Sequence, residues 1–193
     1  MKPTYSNFEA KKNNSGFLEL PPRGAYVAKI KSAKEEDFFG RQCIEITLDI
    51  TEGEYKGRYE AVWRDQEERF GKAYFKGIFR LFPYKDGDKD YVKAQFEGNL
   101  WAVQESNAGY RWDWDEKKLV GKMVGISVRN RLYTYNGKDR STPEIAEFVP
   151  VADVKAGKVK LKPDYDRRKK DEEASTDGSE FTEVSNEVDV PWA

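Results

Sequence analysis

Apolar and polar residues alternate along two segments in the first quarter of the chain, and this period of two predicts half-buried β-strands. The first strand begins at Gly24 and leads into a turn predicted over residues 35–40. The second covers residues 44–50, where every other position is Ile or Leu. Each strand therefore has one face for a core and one face for solvent.

A third strand is predicted over residues 55–64, because Tyr59 and Trp63 share one of its faces. The spacing of apolar residues then changes to three or four. This spacing predicts a helix over residues 67–81 that ends before a proline, and a second helix over residues 91–104. The middle of the chain is thus expected to be helical.

The following part of the chain predicts a β-hairpin. Residues 123–135 alternate over a long strand, Asn136-Gly137 is a dipeptide favoured in two-residue turns, and residues 143–149 form the returning strand. A short helix or turn is predicted over residues 151–156. We therefore expect a mostly β fold with inserted helices. Five strands in this order are typical of an OB-fold-like Greek-key barrel, and an open α+β sheet is the alternative.

The 193 residues suffice for one domain and a tail, and the charge is divided between them unevenly. Residues 171–193 contain eight acidic and no basic side chains. Because the whole chain carries −1, residues 1–170 carry +7, which favours a polyanionic partner. We predict an OB-like nucleic-acid-binding domain over residues 1–162 and a disordered acidic tail over residues 163–193.

Residue composition argues against catalysis. The chain has no histidine and one cysteine, Cys43, so zinc sites, Ser-His-Asp triads and Cys-His pairs lack required residues. Residues 112–116 combine two Trp with three carboxylates, and a solvated turn is favoured there over a magnesium site. We predict no enzyme activity, no cofactor and no metal. Without a signal peptide or an apolar run of about 20 residues, we also expect no membrane association and a cytoplasmic location.

Basic and aromatic residues share the outward positions of the predicted strands and turns. Single-stranded nucleic acid requires this combination, because cations pair with phosphates and flat rings stack on unpaired bases at about 1–3 kcal/mol each. The alternative is a solvated sheet face on which Glu45 and Asp49 neutralise Lys29 and Lys31. The candidate nucleic-acid-binding residues are Lys29, Lys31, Phe38, Phe39, Arg41, Arg58, Tyr59, Trp63, Arg64, Arg129, Arg131, Tyr133, Tyr135, Lys138 and Arg140.

Four short segments form a recognisable set: LPPRGAY at residues 20–26, ITLDITEGEYKGR at 46–58, LVGKMV at 119–124 and NGK at 136–138. The set resembles a widespread phage and prophage family of single-stranded-DNA-binding-like proteins, over roughly residues 20–150. The resemblance implies an OB-type fold, single-stranded DNA as partner, and a role in phage DNA replication or recombination in the cytoplasm of the host cell. The alternative is a phage structural or assembly protein whose OB-like body binds another protein.

The acidic tail ends in an apolar tip, and a polar tail gains nothing from an exposed Trp unless a partner binds it. The tip resembles that of bacterial single-stranded-DNA-binding proteins, in which an acidic linker ends in Asp-Pro-Phe-like residues that recruit replication and repair enzymes. Here Trp replaces Phe and Ala193 follows it. The residues expected to bind replication or recombination proteins are Asp189, Val190, Pro191 and Trp192.

Overall fold

The computed structural model describes Gly16 and residues 18–168 of the chain. Its strands are β1 (Gly24–Phe38), β2 (Arg41–Ile50), β3 (Ile78–Leu81), β4 (Met123–Tyr135), β5 (Lys138–Val149) and β6 (Tyr165–Asp166). Its α-helices are α1 (Arg58–Phe70), α2 (Asp90–Ser106) and α3 (Val151–Lys155), and a 3₁₀ turn covers Glu116–Leu119. The expected mostly β fold with inserted helices is confirmed. Among these residues, no helix has both the length and the apolar character needed to span a bilayer.

The strands form one mixed sheet in the order β3-β2-β1-β4-β5, with β6 added in parallel to the free part of β4. Strand β1 is shared between two antiparallel partners. Its residues 28–38 pair with β2, and its residues 24–29 pair with β4. The sheet is open, because no backbone pairing joins β3 to β5 in the described part of the chain.

The core lies between the inner face of the sheet and α2. Phe96, Leu100 and Val103 of α2 are buried at intervals of four and three residues, which places them on one side of the helix. Burial of each such side chain contributes about 1.5–3 kcal/mol. The strands contribute alternate residues to the same core, namely Ala28, Ile30, Ile44, Ile46, Leu48, Ile50, Val124, Ile126 and Val128.

Helix α2 also covers the gap between the edge strands β3 and β5. The Oδ1 of the buried Asn99 accepts a 2.7 Å hydrogen bond from the backbone N–H of Phe148, and its Nδ2 donates to the carbonyl of Gln95. The ring of Phe148 lies 4.5 Å from that of Phe79 on β3. A helix side chain thus satisfies a backbone donor of an edge strand, where an unpaired buried N–H would cost free energy.

The third predicted strand, over residues 55–64, is wrong, because α1 occupies most of this segment. Gly57 adopts a left-handed conformation (φ 67°) immediately before the helix. The carboxylate of Asp49, only 3% exposed, then accepts hydrogen bonds from the N–H groups of Tyr59 at 3.1 Å and Glu60 at 3.0 Å. Asp49 therefore caps α1 from a neighbouring strand, a contact that a local hydrophobic pattern does not reveal.

The helix predicted over residues 67–81 is also wrong beyond its first residues. Helix α1 ends at Phe70, the following Gly71 is left-handed (φ 66°), and the chain then runs to β3. At Gly77 the backbone passes so close to β2 that an added Cβ would lie 2.4 Å from the carbonyl oxygen of Leu48. The four-residue spacing of Phe75 and Phe79 therefore arises from two separate contacts with the core, since only Phe79 belongs to a regular element.

The remaining predicted elements are confirmed with shifted ends. The second helix corresponds to α2, the strand over residues 123–135 to β4, and the short helix to α3. Asn136 and Gly137 have φ of 48° and 70°, as a two-residue hairpin turn requires. Strand β5 starts directly after this turn instead of at residue 143. The first hairpin turn is also tighter than predicted, because β1 and β2 continue to Phe38 and Arg41.

Residues 163–168, the beginning of the predicted tail, contact the body. Asp164 accepts a 3.0 Å hydrogen bond from the backbone N–H of Asn130, and β6 pairs with Arg131 and Leu132 of β4. The rest of the predicted tail, including its tip, lies outside the described residues.

The cap on α1 predicts a large effect of one buried carboxylate. Replacing Asp49 with Ala should lower the free energy of unfolding by about 2–3 kcal/mol, because three backbone N–H groups lose a charged acceptor. Urea unfolding followed by circular dichroism measures the change. The control Asp86→Ala, at an exposed loop position, should stay within about 0.5 kcal/mol of the parent. Equal losses in both variants would contradict the capping role.

Candidate nucleic-acid interface

The predicted site residues fall into four groups, and the largest lies on the arm formed by β4 and β5. Beyond Val128, strand β4 no longer pairs with β1 and continues with β5 alone, apart from the short β6. One face of this arm carries alternate residues of β4 and their cross-strand partners. We call it the arm face, and it comprises Arg129, Arg131, Tyr133, Tyr135, Lys138, Arg140, Thr142 and Glu144.

The arm face has four cations and a single carboxylate, Glu144, which the first two cations share. Arg129 Nε donates to Glu144 Oε1 at 2.8 Å, and the Arg129 guanidinium lies 5.0 Å from the ring centroid of Tyr165 on β6. Arg131 Nε is 3.8 Å from the other oxygen of Glu144, and this nitrogen is buried without a hydrogen bond. Arg129 is therefore more tightly engaged within the fold than Arg131, whose guanidinium lies 5.7 Å from the ring centroid of Tyr133.

Residues just before β3 bring further positive charge to this face. The pKa of Lys76 is lowered, first by desolvation of its amino group and then by the positive charge of Arg131, while Tyr74 acts in the opposite direction. The ammonium group of Lys72 lies 5.5 Å from the ring centroid of Tyr74. Cations that repel each other in the free protein form a site that a phosphate group would stabilise.

The second group lies at the turn between β1 and β2, which we call the hairpin tip (Phe38–Arg41). Phe39 is 81% exposed with a left-handed φ of 53°, and its ring packs edge-on against Phe38 with centroids 4.6 Å apart. The guanidinium of Arg80 on β3 lies 4.2 Å from the Phe38 centroid. The tip therefore presents one free aromatic ring above a cation.

Carboxylates partly neutralise the cations around the hairpin tip. Arg80 donates to Glu45 at 2.7 Å, and Arg41 lies 3.4 Å from Asp88. Arg41 also stacks on Phe82, with 5.2 Å between the guanidinium carbon and the ring centroid. The tip therefore offers stacking more than net charge.

The third group was predicted on a strand and lies instead on α1. Tyr59 is only 3% exposed, so it is a core residue with no surface for a ligand. The prediction that Tyr59 binds nucleic acid is therefore wrong. Arg58 lies over the ring of Tyr55, and Arg64 forms an ion pair with Glu60 one helical turn earlier. These two arginines are therefore engaged within the fold.

Two lysines of β1 remain accessible on the outer face of the sheet. Lys29 is exposed opposite Asp49, but no ion pair joins them in the part of the chain described, because the Asp49 oxygens face backbone donors. Lys31 is exposed where the register of β1 against β2 shifts between residues 30 and 32. Glu45 pairs with Lys34 instead of Lys31. The predicted neutralisation of Lys29 and Lys31 is therefore wrong.

Sequence reasoning missed Lys76 and Arg80. Both residues occupy outward positions along the segment that leads into and through β3, alternating with Gly77 and Phe79. The alternation of these residues is visible in the sequence, but the spacing of the aromatic residues favours a helix in this segment. Recognition of β3 would have placed both cations on the outer face.

Other reactive groups have structural partners. Lys118 pairs with Asp113 and Asp115, and its hydrogen bond is the main cause that lowers the pKa of Asp113. No group of three or more acidic or thiol side chains in the described ranges is arranged to hold a metal ion. Cys43 is buried, and this burial raises the pKa of its thiol, which disfavours a reactive thiolate.

Comparison of the chain with known protein families gives no match, and comparison with curated proteins gives none either. An assignment of function therefore depends on the arm face, the hairpin tip and the outer face of the sheet between them.

Proposed function

We propose that the protein is a non-enzymatic single-stranded-DNA-binding protein of a phage or prophage. It would coat exposed strands without sequence preference during DNA replication or recombination in the host cytoplasm. The observation that carries this proposal is the surplus of cations on the arm face, which Lys76 increases and which Glu144 and, beside Arg129, Asp164 offset only in part. Such an arrangement costs free energy in the free protein and favours a polyanion.

Aromatic rings beside these cations favour a single strand over a duplex. Tyr133 and Tyr135 are partly exposed on the arm face, and Phe39 is exposed at the hairpin tip. Unpaired bases present their flat faces to such rings, whereas the bases of a duplex are already stacked on one another. The combination therefore favours single-stranded DNA.

The fold supports the same proposal as an OB-type, partly open barrel. In the observed strand order, β3 and β5 are the two free edges that a Greek-key barrel of this type would bring together. The contact between Phe79 and Phe148 spans these edges, and Asn99 of α2 occupies the gap between them. OB-folds bind oligonucleotides on the face of their second and third strands and through two flanking loops, which here correspond to the outer face, hairpin tip and arm.

The acidic tip, residues 189–192, belongs to this proposal as the part that recruits replication or recombination proteins. It is proposed on the sequence alone, since it lies outside the described residues. The acidic segment that carries this tip, residues 171–193 with a charge of −8, begins two residues after Lys169, close to the end of the described chain beside the arm.

A second candidate is a phage structural or assembly protein that binds another protein through its body. The exposure of two aromatic side chains on α2, 64% at Tyr91 and 51% at Trp101, favours this alternative. Both side chains lie on the helix that covers the gap between β3 and β5. Protein binding there would depend weakly on salt, in contrast to DNA binding.

The first prediction from this proposal is binding that is specific for single strands and sensitive to salt. Fluorescence titration of the full chain should show tighter binding to oligo-dT than to a blunt duplex of equal length, since only unpaired bases can stack. The logarithm of the affinity should fall linearly with the logarithm of salt, by about 0.7 per phosphate contact. Equal affinity for both DNAs, or no binding at low salt, would contradict the proposal.

The repulsion between Lys76 and Arg131 predicts that removing the lysine charge has opposite effects on stability and on DNA binding. Replacing Lys76 with Met should raise the free energy of unfolding by up to about 0.5 kcal/mol, because it removes a charge that Arg131 repels. The same variant should weaken oligo-dT binding and reduce the salt slope by about 0.7. The control Lys158→Met, at an exposed position after α3, should change neither quantity appreciably. If Lys76→Met binds oligo-dT with parental affinity and parental salt dependence, the arm face is not part of the binding site.

The acidic segment predicts competition with DNA. The chain leaves the described region beside the arm, where Arg168 pairs with Asp139 of β5. Deleting residues 171–193 removes eight negative charges that are tethered near the arm face at high effective concentration. The truncated protein should bind oligo-dT more tightly, with the difference shrinking as salt screens the charges. Unchanged affinity at low salt would contradict this competition.

A further inference from the structure

An open cavity of about 450 Å³ lies between the outer face of the sheet and α1, and its lining includes Lys31 and Trp63, two of the candidate nucleic-acid-binding residues. Its volume falls in the range of small-molecule sites, about 300–1,000 Å³. The residues that line it are Lys31, Thr47, Asp49, Glu60, Trp63 and Phe75.

Two aromatic rings from different elements border the cavity. Trp63 projects from α1 and is half-buried, and Phe75 lies in the segment between α1 and β3. Phe75 is held from behind by Tyr59, whose ring centroid lies 6.5 Å away, and Tyr59 is itself fixed in the core. The position of α1, and with it Trp63, is fixed by the carboxylate of Asp49. The cavity walls are therefore preorganised.

The polar groups of the cavity can adapt to different ligands. On the sheet side, the hydroxyls of Thr47 and Ser32 lie 2.6 Å apart and are half-buried. A hydroxyl can rotate to donate or to accept, so this pair can meet either kind of group on a flat polar ligand. The Asp49 oxygens already accept three backbone N–H groups, so its carboxylate holds the helix and does not select a ligand.

A cation stands at the edge of the cavity because of an irregularity in β1. The register shift between residues 30 and 32 leaves Lys31 without a partner on β2. Bulges of this kind redirect a side chain and are frequent beside functional sites. On the other side, Phe75 is followed directly by Lys76, which lies near Arg131 of the arm face. Lys31 in the lining and Lys76 next to Phe75 therefore bring positive charge to the cavity, while the carboxylate of Glu60 in its lining is paired with Arg64.

A flat ligand with polar edges and an attached anion fits this arrangement. We propose that the cavity receives one unstacked base of single-stranded DNA, which stacks on Trp63 while its flanking phosphates contact Lys31 and Lys76. This inference rests on the proposed function and adds to it a fixed anchoring position between the arm face and the hairpin tip. Because the hydroxyl pair accommodates any base, the anchor is compatible with coating that has no sequence preference.

The test is a titration of the full chain with oligo-dT, using variants that keep or remove the Trp63 ring. Trp63→Phe retains a ring for stacking, so it should bind with nearly parental affinity but lose part of the tryptophan quenching that DNA causes. Trp63→Leu removes the ring and should weaken binding by about fivefold to a hundredfold, as the loss of one stacked base predicts. The control Trp101→Leu, on the exposed side of α2, should leave affinity unchanged.

A second variant covers the case in which Trp63→Leu does not fold, which thermal unfolding would show. Lys31→Gln alters an exposed residue and should lower affinity and reduce the salt slope by about 0.7, whereas the matched control Lys158→Gln should not. If the parent binds oligo-dT but Trp63→Phe keeps full quenching and Lys31→Gln keeps parental affinity, the cavity proposal is overturned and the proposed function stands. If the parent does not bind oligo-dT at all, the proposed function itself fails.

Discussion

Strand β1 is paired along both edges over only part of its length, and the positions of all candidate binding surfaces follow from this. Its start pairs with β4 and its longer remainder with β2, and the change occurs around Ile30. There the backbone N–H of Ile30 donates to the carbonyl of Lys122, and its carbonyl accepts from Gly121, both at 2.9 Å. The hairpin tip and the arm therefore extend beyond opposite ends of β1, and each leaves a face free for a ligand.

The same region of β1 determines where α1 and the cavity lie. The bulge at Lys31 interrupts the outer face where Asp49 of β2 caps α1. A capped helix on the outer face would normally cover it, but α1 buries Tyr59 and Val62 near its start and leaves an opening beside Trp63. The helix thus extends the candidate binding surface instead of covering it.

The sequence alone predicted those elements whose pattern is repeated and local. Strand β4, its Asn136-Gly137 turn and helix α2 follow from alternation, turn chemistry and helical spacing. Residues 55–81 were misassigned because their structure depends on a distant contact, the cap from Asp49, and on the tight passage at Gly77. The errors in the site have the same origin. Tyr59 was placed on a surface, and Arg80 was assigned to a helix.

Cation crowding on the arm face is the physical basis of the functional account. A domain selected for stability alone would be expected to balance Arg131 and Lys76 with more than one nearby carboxylate, whereas a DNA-binding surface leaves that balance to phosphates. The distribution of charge, with a basic body and an acidic end segment, is consistent with the same requirement at the scale of the whole chain.

Hydrogen–deuterium exchange of the full chain, with and without saturating oligo-dT, tests the central claim most directly. If single-stranded DNA binds the arm face and the hairpin tip, exchange slows in the segment that leads into β3, in the arm around Arg131 and in the turn that carries Phe39, while α2 around Trp101 changes little. Slowed exchange confined to the part of α2 around Trp101 would contradict this placement of the DNA.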